Sequence, residues 1–568
     1  MDIQVIRRRV GSWDGGLFIV LFAAALTRLA WVGLYQLKWD EVRILTDSLR
    51  LARYGEWTWL SNATSWGGLP GHSPFSVYVL SIPYVLTADP RVPRLLVAVM
   101  GVAAVGILYV MTKRYFGRGA ALIAGLLFAT APTAIEWSSY VWNPNLAQPF
   151  IALWALTGLI GYYEGRRWAQ IAHWPMLSLA VQAHPGNGLL LPLSGLLLVV
   201  GWFRGDRRKL VLHTALSGLV VLLTLIPWII GVAKAGLSDS GDDLAFEEVQ
   251  RTFSYIRTTF STLVSSTEFW TYFRGDGWWP SLKTDKILWV KTWLTLAGVV
   301  WLLWEGWRSK WKGFPGVFLA LLTLIPLIGF WVSPIDVVDF YLMALMFGAF
   351  PVQGIVLAKL AASRRGAWIP VGAAVVVFVG LQSWLVLGAW HWMKTEGTQE
   401  AFRAPLVVHL DLMDEWSARA EHIVVLTETL EGKYGATEQT GLWQVVGEAE
   451  GIQVVNMPQG IPIDPDGEVL ASTYGGTMIP QLFGEGERAG ELSNGQPMFR
   501  WVYIPPQFTP PLNFIPESSA RFDNGAKILG LETLDKPQAG KPWKIILYWQ
   551  PEKTDIAKQY QFSVRVVD

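Results

Sequence analysis

Cysteine is missing from all 568 residues. That excludes a disulfide framework, a thiolate nucleophile and a thiolate-ligated metal. Charge is also scarce, at 16% Asp, Glu, Lys and Arg, where an average soluble domain carries roughly 25%. The formal net charge of +1 lacks the basic bias of a nucleic-acid binder. Nucleotide-binding and hydrolase signatures are absent as well. There is no Gly-rich P-loop, no Gly-x-Ser-x-Gly and no His-Glu-x-x-His, so an ATP-driven pump, a serine hydrolase and a zincin all lack support. What the chain has instead is apolar bulk: 52% hydrophobic residues, with 32 Trp, a residue that collects where membrane meets water.

A bilayer core takes about 20 apolar residues per helix. Runs of that order begin near Gly15, Pro93, Gly119, Leu146, Trp168, Gly188, Leu210, Ile287, Gly316, Phe340 and Trp368. The first, from Gly15 to Gln36, is too long for a signal-peptide core and lacks a small-residue cleavage site, so it is expected to remain as a span. The stretch Phe75–Ala88 is shorter and broken by Pro83. It reads as a juxtamembrane helix or as a twelfth span.

Lys and Arg gather in cytoplasmic loops, and that rule separates the two readings. With eleven spans, the cytoplasmic side receives Arg7–Arg9, Lys113, Arg114 and Arg118, Arg166 and Arg167, Arg204 with Arg207–Lys209, Arg308 with Lys310 and Lys312, and Arg364 with Arg365. The short turns at Asn143, Pro185 and Asp336 fall outside and carry no Lys or Arg. A twelfth span would move Lys113–Arg118 to the wrong side. The expected topology therefore has a cytoplasmic N-terminus, a first outer loop near 37–91, another near 233–286, and an outer tail.

The tail begins after Met393, where charged and apolar residues start to alternate. A helix near Ala401–Ala420 and strands at His422–Thr427 and Ile452–Met457 suggest a soluble α/β domain over 394–510. Beyond the Pro-rich stretch Pro505–Pro511, the segments Lys527–Leu534, Trp543–Trp549 and Tyr560–Val567 have the period of strands. Residues 511–568 thus read as β-sandwich-like, and as incomplete at the chain end.

Candidate chemistry gathers at the outer ends of the spans. Lys38-Trp39-Asp40-Glu41-Val42-Arg43 follows the first span, and paired carboxylates held at a membrane surface commonly mark a site. The same residues also suit a plain helix start, with Asp40 as N-cap. Further on come Gly55-Glu56-Trp57, then His72-Ser73-Pro74-Phe75 with Tyr78. A carboxylate pair after span one, a helix ending in Gly-x-Trp, and Pro-Phe-x-x-Tyr ahead of an apolar helix together resemble the GT-C glycosyltransferases. The likeness is nearer to the protein O-mannosyltransferases and the lipid A aminoarabinose transferases. Lys113-Arg114-Tyr115-Phe116-Gly117, the stretch from Ala131 through Glu136 to Asn143 and Asn145, and Asp339–Met343 resemble further motifs of that family in the same order. The resemblance covers about residues 15–390.

The resemblance implies an α-helical polytopic GT-C domain over 1–393. It also implies inverting transfer of a sugar from a polyprenyl-phosphate donor to a protein, glycolipid or polysaccharide acceptor on the outer face of the membrane; the basic N-terminus and the lack of a eukaryotic-type retention signal fit a prokaryotic plasma membrane. Asp40 then resembles the base and Glu41 its neighbouring acid. Arg43 falls where relatives place a cation. His72 stands near a Lys of the aminoarabinose transferases, so a group without charge replaces a cation there. Where relatives carry an Asp in the second outer loop, this chain offers Glu136, Asn143 and Asn145, although Asn-Pro-Asn also suits a simple turn. His184, Arg274 and Lys283 are candidate contacts to sugar or phosphate, and each also suits an ordinary interfacial residue. A divalent cation such as Mg or Mn, if one is used, has Asp40, Glu41 and Glu136 as candidate oxygen ligands. Two other classes stay open: a lipid-linked-glycan binding protein without catalysis, and a lipid or glycan transporter.

Overall fold

The computed structural model describes residues 14–30, 32–35, 39–62, 71–236, 253–267, 284–309, 312–332, 339–395 and 405–418. Beyond these it describes 422–427, 452–456, 469–473, 487–491, 497–504, 512, 515, 526–533 and 545–551. Two compact units divide the chain, one consisting mainly of Met1–Leu410 and the other mainly of Asp411–Asp568.

The first unit is helical throughout. Among the described residues, eight helices are long and apolar enough to cross a membrane: Arg91–Phe116, Pro144–Tyr163, Pro185–Arg204, Arg207–Ala235, Lys286–Arg308, Phe314–Trp331, Tyr341–Ala362 and Trp368–His391. Three expected spans are helices of another kind. Gly15–Leu29 and Arg118–Ala129 are apolar but shorter, and Arg167–Ala183 carries Pro175 and a buried His173. Phe75–Tyr84 has ten residues, about 15 Å at 1.5 Å per residue, half of what a bilayer core requires. A helix of that length agrees with the juxtamembrane reading drawn from the distribution of Lys and Arg.

Numbered in chain order, α1 is Gly15–Leu29, α2 Trp39–Tyr54, α3 Phe75–Tyr84, α4 Arg91–Phe116, α5 Arg118–Ala129, α6 Pro132–Glu136, α7 Gln148–Gly158, α8 Arg167–Ala183, α9 Leu191–Arg204 and α10 Arg207–Ala235. The series continues with α11 Phe253–Ser265, α12 Thr284–Arg308, α13 Phe314–Val332, α14 Met346–Ala362, α15 Trp368–Thr395 and α16 Leu406–Ser417. The turn from α4 into α5 is a single residue, Gly117, at φ 89°, a conformation that side chains resist. That reversal packs α5 back on α4 and α1. The carbonyls at the end of α5 lack partners within their own helix. Arg28 of α1 supplies one, donating from Nη1 to the Ala129 carbonyl at 2.8 Å, and Thr27 Oγ1 donates to the same oxygen at 2.9 Å. Arg28 is fully buried, so a charged side chain of α1 serves as the cap of α5.

α10 lies flush against the first loop. A Cβ at Gly231 would overlap the carbonyl of Trp59, and Trp228 Nε1 donates to the Gly71 carbonyl at 3.3 Å. The glycine and the indole together hold the loop ends that flank residues 63–70. The start of α16 docks on the segment after α1: Leu406 N donates to the Tyr35 carbonyl at 3.2 Å and Val407 N to that of Gly33 at 3.0 Å.

In the second unit, five strands form a mixed sheet in the order β2-β1-β3-β5-β4. They are β1 His422–Thr427, β2 Ile452–Asn456, β3 Val469–Thr473, β4 Glu487–Glu491 and β5 Pro497–Ile504. β1 runs parallel to β2 and β3, while β5 is antiparallel to β3 and β4. β6 Ala526–Thr533 and β7 Ile545–Pro551 pair antiparallel with a bulge at Ile528/Gly530. The strand expected at Tyr560–Val567 lies outside the described residues.

Candidate active site

α2 begins at Trp39, which puts Asp40 and Glu41 in its first turn, where the helix dipole favours negative charge. Successive residues on a helix point about 100° apart, so the two carboxylates part company. Glu41 turns inward and is fully buried. Its Oε1 accepts from Arg94 Nε at 2.7 Å and from the Val141 backbone N–H at 2.9 Å, and its Oε2 accepts from Arg94 Nη2 at 2.7 Å. Both partners of this forked pair have 0% exposed side chains. The remaining nitrogen, Arg94 Nη1, donates to the Tyr35 carbonyl at 2.9 Å. One arginine therefore ties α4, α2 and the segment after α1 together.

Asp40 turns the other way and stays half-buried. Its Oδ1 accepts from Asn62 Nδ2 at 3.0 Å and its Oδ2 from Trp142 Nε1 at 2.9 Å. Two donors from two separate loops fix the carboxylate plane. Asn62 is placed in turn by a pair of backbone bonds: His72 N donates to the Asn62 carbonyl, and Ser61 N to the His72 carbonyl, both at 2.9 Å. His72 is thus pinned beside the residue that orients Asp40.

Aromatic rings build the rest of the wall. Tyr35 stacks on Tyr140 at 4.6 Å between centroids, and Tyr140 on Trp142 at 6.1 Å. The Tyr35 hydroxyl donates to Glu136 Oε1 at 2.5 Å. Burial first, and the Glu136 charge second, push that hydroxyl well above the usual tyrosine range, so it remains a neutral donor. A second ladder runs from Phe330 to Tyr341 at 5.4 Å, to His184 at 4.6 Å, and on to His72 at 6.5 Å. Burial lowers His72 to about 4 and His184 to about 3. Both rings are neutral near pH 7. His72 Nδ1 is buried without a hydrogen-bond partner, whereas His184 Nδ1 accepts from Gly186 N at 3.2 Å.

The structure brings Asp40, Glu41, Glu136, Asn143, His72 and His184 to the same end of the bundle as α2 and its loops. Arg43 is exposed on α2. Asn143 is buried at the start of the turn Pro144–Ala147, and its Oδ1 finds no hydrogen-bond partner. Asn145 Nδ2 donates to the Tyr140 carbonyl at 3.0 Å, which is the work of a turn residue. Arg274, Lys283 and Asp336 lie outside the described residues. Asp339 opens the turn Asp339–Leu345 that sets Tyr341 against His184. Four site residues escape the sequence reading. Arg94 left a signal, being an arginine at the head of an apolar run. Asn62, Trp142 and Tyr35 left none, because their partners are distant in the chain.

Among the described residues, no three His, Asp or Glu side chains converge as a metal centre would require. Of the three carboxylates singled out by sequence, Glu41 is paired with Arg94 and Glu136 accepts from Tyr35.

The helical order matches solved structures along nearly the whole chain. ArnT from Cupriavidus metallidurans bound to undecaprenyl phosphate superposes with a TM-score of 0.51 at 13% identity, covering 88% of this chain and 100% of that one. Its apo form gives 0.50 at 14% identity, covering 86% and 98%. The membrane part has the GT-C fold. Within it, residues 71–230 match the family model described as dolichyl-phosphate-mannose-protein mannosyltransferase. No curated protein matches in sequence. In this structure the carboxylate pair, the Gly-x-Trp helix end and the short α3 belong to consecutive elements, α2, the loop after it and α3.

Proposed function

We propose that the chain is an inverting glycosyltransferase of the outer membrane face, moving a sugar from a polyprenyl-phosphate donor to an acceptor, with Asp40 as the general base. One observation supports it above the rest. Of two adjacent carboxylates, one is fully buried in a forked pair with Arg94 and also accepts from the Val141 N–H, while the other is half-buried and accepts from the neutral donors Asn62 and Trp142 at a rim lined with aromatic rings. In the reaction, an acceptor O–H or N–H attacks the anomeric carbon from the face opposite the phosphate. The anomeric C–O bond to phosphate breaks, the polyprenyl phosphate leaves with the bonding pair, and Asp40 takes the acceptor proton. Glu41 does not transfer protons in this reading; it positions α2 through Arg94. His72, neutral and with Nδ1 unoccupied, offers a hydrogen bond to donor oxygens and leaves charge neutralisation to other groups. In this reading the membrane is a prokaryotic plasma membrane, the N-terminus is cytoplasmic and the tail lies outside; the distribution of Lys and Arg among the loops supports that orientation.

The test is sugar transfer from radiolabelled polyprenyl-phosphate sugars by purified full-length protein, wild type beside Asp40→Asn, with membrane extract as the source of acceptors. Donor binding is measured in parallel, and the assay is repeated with EDTA to read metal dependence. Asp40→Asn is expected to bind donor normally and to transfer at least ~10²-fold more slowly. Equal turnover in both proteins moves the base elsewhere. Donor binding without transfer by either protein favours a glycan-binding role.

A further inference from the structure

Tyr35 stands where three lines of contact cross, and both carboxylates of α2 are reached from it. Its carbonyl accepts from Arg94 Nη1 at 2.9 Å and from Leu406 N at 3.2 Å. Its hydroxyl donates to Glu136 Oε1 at 2.5 Å. Its ring lies on Tyr140, 4.6 Å between centroids and 9° from parallel. Tyr140 in turn stacks on Trp142 at 6.1 Å and 29°, and Trp142 Nε1 donates to Asp40 Oδ2 at 2.9 Å. One route from Tyr35 therefore runs through Arg94 to Glu41, and another runs through two aromatic rings to Asp40.

The surroundings hold Tyr35 in one orientation. It is buried in a cluster with Ile135 of α6, Tyr140, and Val386, Ala389 and Met393 of α15, and Trp142 packs against that cluster. A carbonyl oxygen has two lone pairs, so two donors from separate helices fix the plane of this peptide. Leu406 is the first residue of α16, and the first N–H groups of a helix have no acceptor within it. This one goes to Tyr35. Trp142, by contrast, is only half-buried. Offset stacking on a neighbouring ring favours a limited set of planes for an indole, so the Tyr35–Tyr140 stack restricts where the Trp142 N–H points. That matters for chemistry, because a misplacement of about 1 Å at a reacting group can cost about 10²-fold in rate.

We propose that Tyr35 is a positioning residue for sugar transfer: it turns the Trp142 N–H onto Asp40 through the Tyr140 ring, steadies Glu41 through Arg94, and is itself locked by the Leu406 N–H. Its role in transfer rests on Asp40 as the base proposed above, whereas its hold on the carboxylate rests on these contacts alone. Tyr35 touches neither donor nor acceptor in this reading. A hydrogen bond to an ionised carboxylate lowers its proton affinity. Loosening the stack therefore has a chemical signature: Asp40 takes up its proton at higher pH, and the acid limb of the pH–rate profile moves up with it.

The experiment uses the full-length protein in lipid nanodiscs, with radiolabelled polyprenyl-phosphate sugars as donors. Transfer and donor affinity are read for each variant. Carbodiimide labelling of Asp40, followed across pH by peptide mass spectrometry, reports its protonation without any need for transfer. Tyr35→Leu is expected to lower kcat about ten-fold, as much as Trp142→Phe, with donor affinity retained. Tyr35→Phe, which keeps the ring, recovers most of that loss. In Tyr35→Leu and in Trp142→Phe the Asp40 labelling midpoint rises by about one pH unit, near the worth of a hydrogen bond to a charged group. The two changes combined are no slower than the slower one alone, because both act through the same N–H. Leu406→Pro deletes one N–H at a position where helices accept proline. It is slower than Leu406→Ala, although proline retains more of the buried side chain. If Tyr35→Leu does not fold, this pair carries the test. Additive losses, a joint fall of kcat and donor affinity, or an unmoved Asp40 midpoint would overturn the proposal, as would Leu406→Ala being the slower of its pair. If Asp40→Asn transfers at the wild-type rate, the catalytic reading fails, and a raised midpoint in Tyr35→Leu still upholds Tyr35 as the residue that positions that carboxylate.

Discussion

The two ends of α4 hold ion pairs of opposite character. At its head, Arg94 grips Glu41 with both side chains 0% exposed. Near its foot, about 28 Å away at 1.5 Å per residue, Lys113 meets Asp14 with 46% and 16% of the side chains exposed, and Arg114 meets Glu164 with 44% and 20%. The foot pairs sit where water and salt screen them, and their work is to mark a basic, solvated edge. The head pair has no water to fall back on, so its geometry is obligatory. Charge at one end thus reports sidedness, while charge at the other builds a surface.

Breaking the head pair should give the largest effect. Glu41→Gln leaves Arg94 buried with its partner neutral, and a loss of about 3–5 kcal/mol is expected, read by thermal unfolding in detergent. Glu41→Met combined with Arg94→Met should recover much of that loss; no recovery would mean that the pair does more than satisfy itself. Acid comes next. His72 and His184 have folded-state values of about 4 and about 3, against about 6.5 unfolded. Between these limits the unfolded chain binds more protons, so stability is full above pH 6.5 and falls as pH drops toward 4, by roughly 1 kcal/mol per histidine per pH unit. His184→Gln should flatten the melting-point curve over pH 7 to 5, and an unchanged slope would place the titration elsewhere.

Smaller still is the loss of one donor to Asp40. Trp142→Phe keeps an aromatic ring and removes the indole N–H, and transfer should fall about ten-fold, near the worth of a hydrogen bond to a charged group. At the foot of α4, Glu164→Gln should cost under about 1 kcal/mol, and less in high salt. If it costs as much as Glu41→Gln, the contrast between the two ends is wrong.

Much of this arrangement was legible in the sequence, for reasons that differ by residue. Apolar runs and clustered Lys and Arg carry the helices and their order because hydropathy and charge are local quantities. Gly117 and the broken run at Phe75 are local signals too. The separate fates of Asp40 and Glu41 were not legible. Side by side they look alike, and only the direction of α2 and the position of Arg94, 53 residues on, divide them. Asn62 and Trp142 act through hydrogen bonds spanning 22 and 102 residues, which no motif marks.

The bond between Leu406 N and the Tyr35 carbonyl has a consequence in time. Tyr35 leaves the ribosome early and Leu406 follows 371 residues later, about 20 to 70 s at ordinary rates of synthesis. Throughout that interval the carbonyl that steadies Arg94 lacks one of its two donors. The rim of the site is therefore among the last parts of the first unit to close, after all its membrane helices have been made.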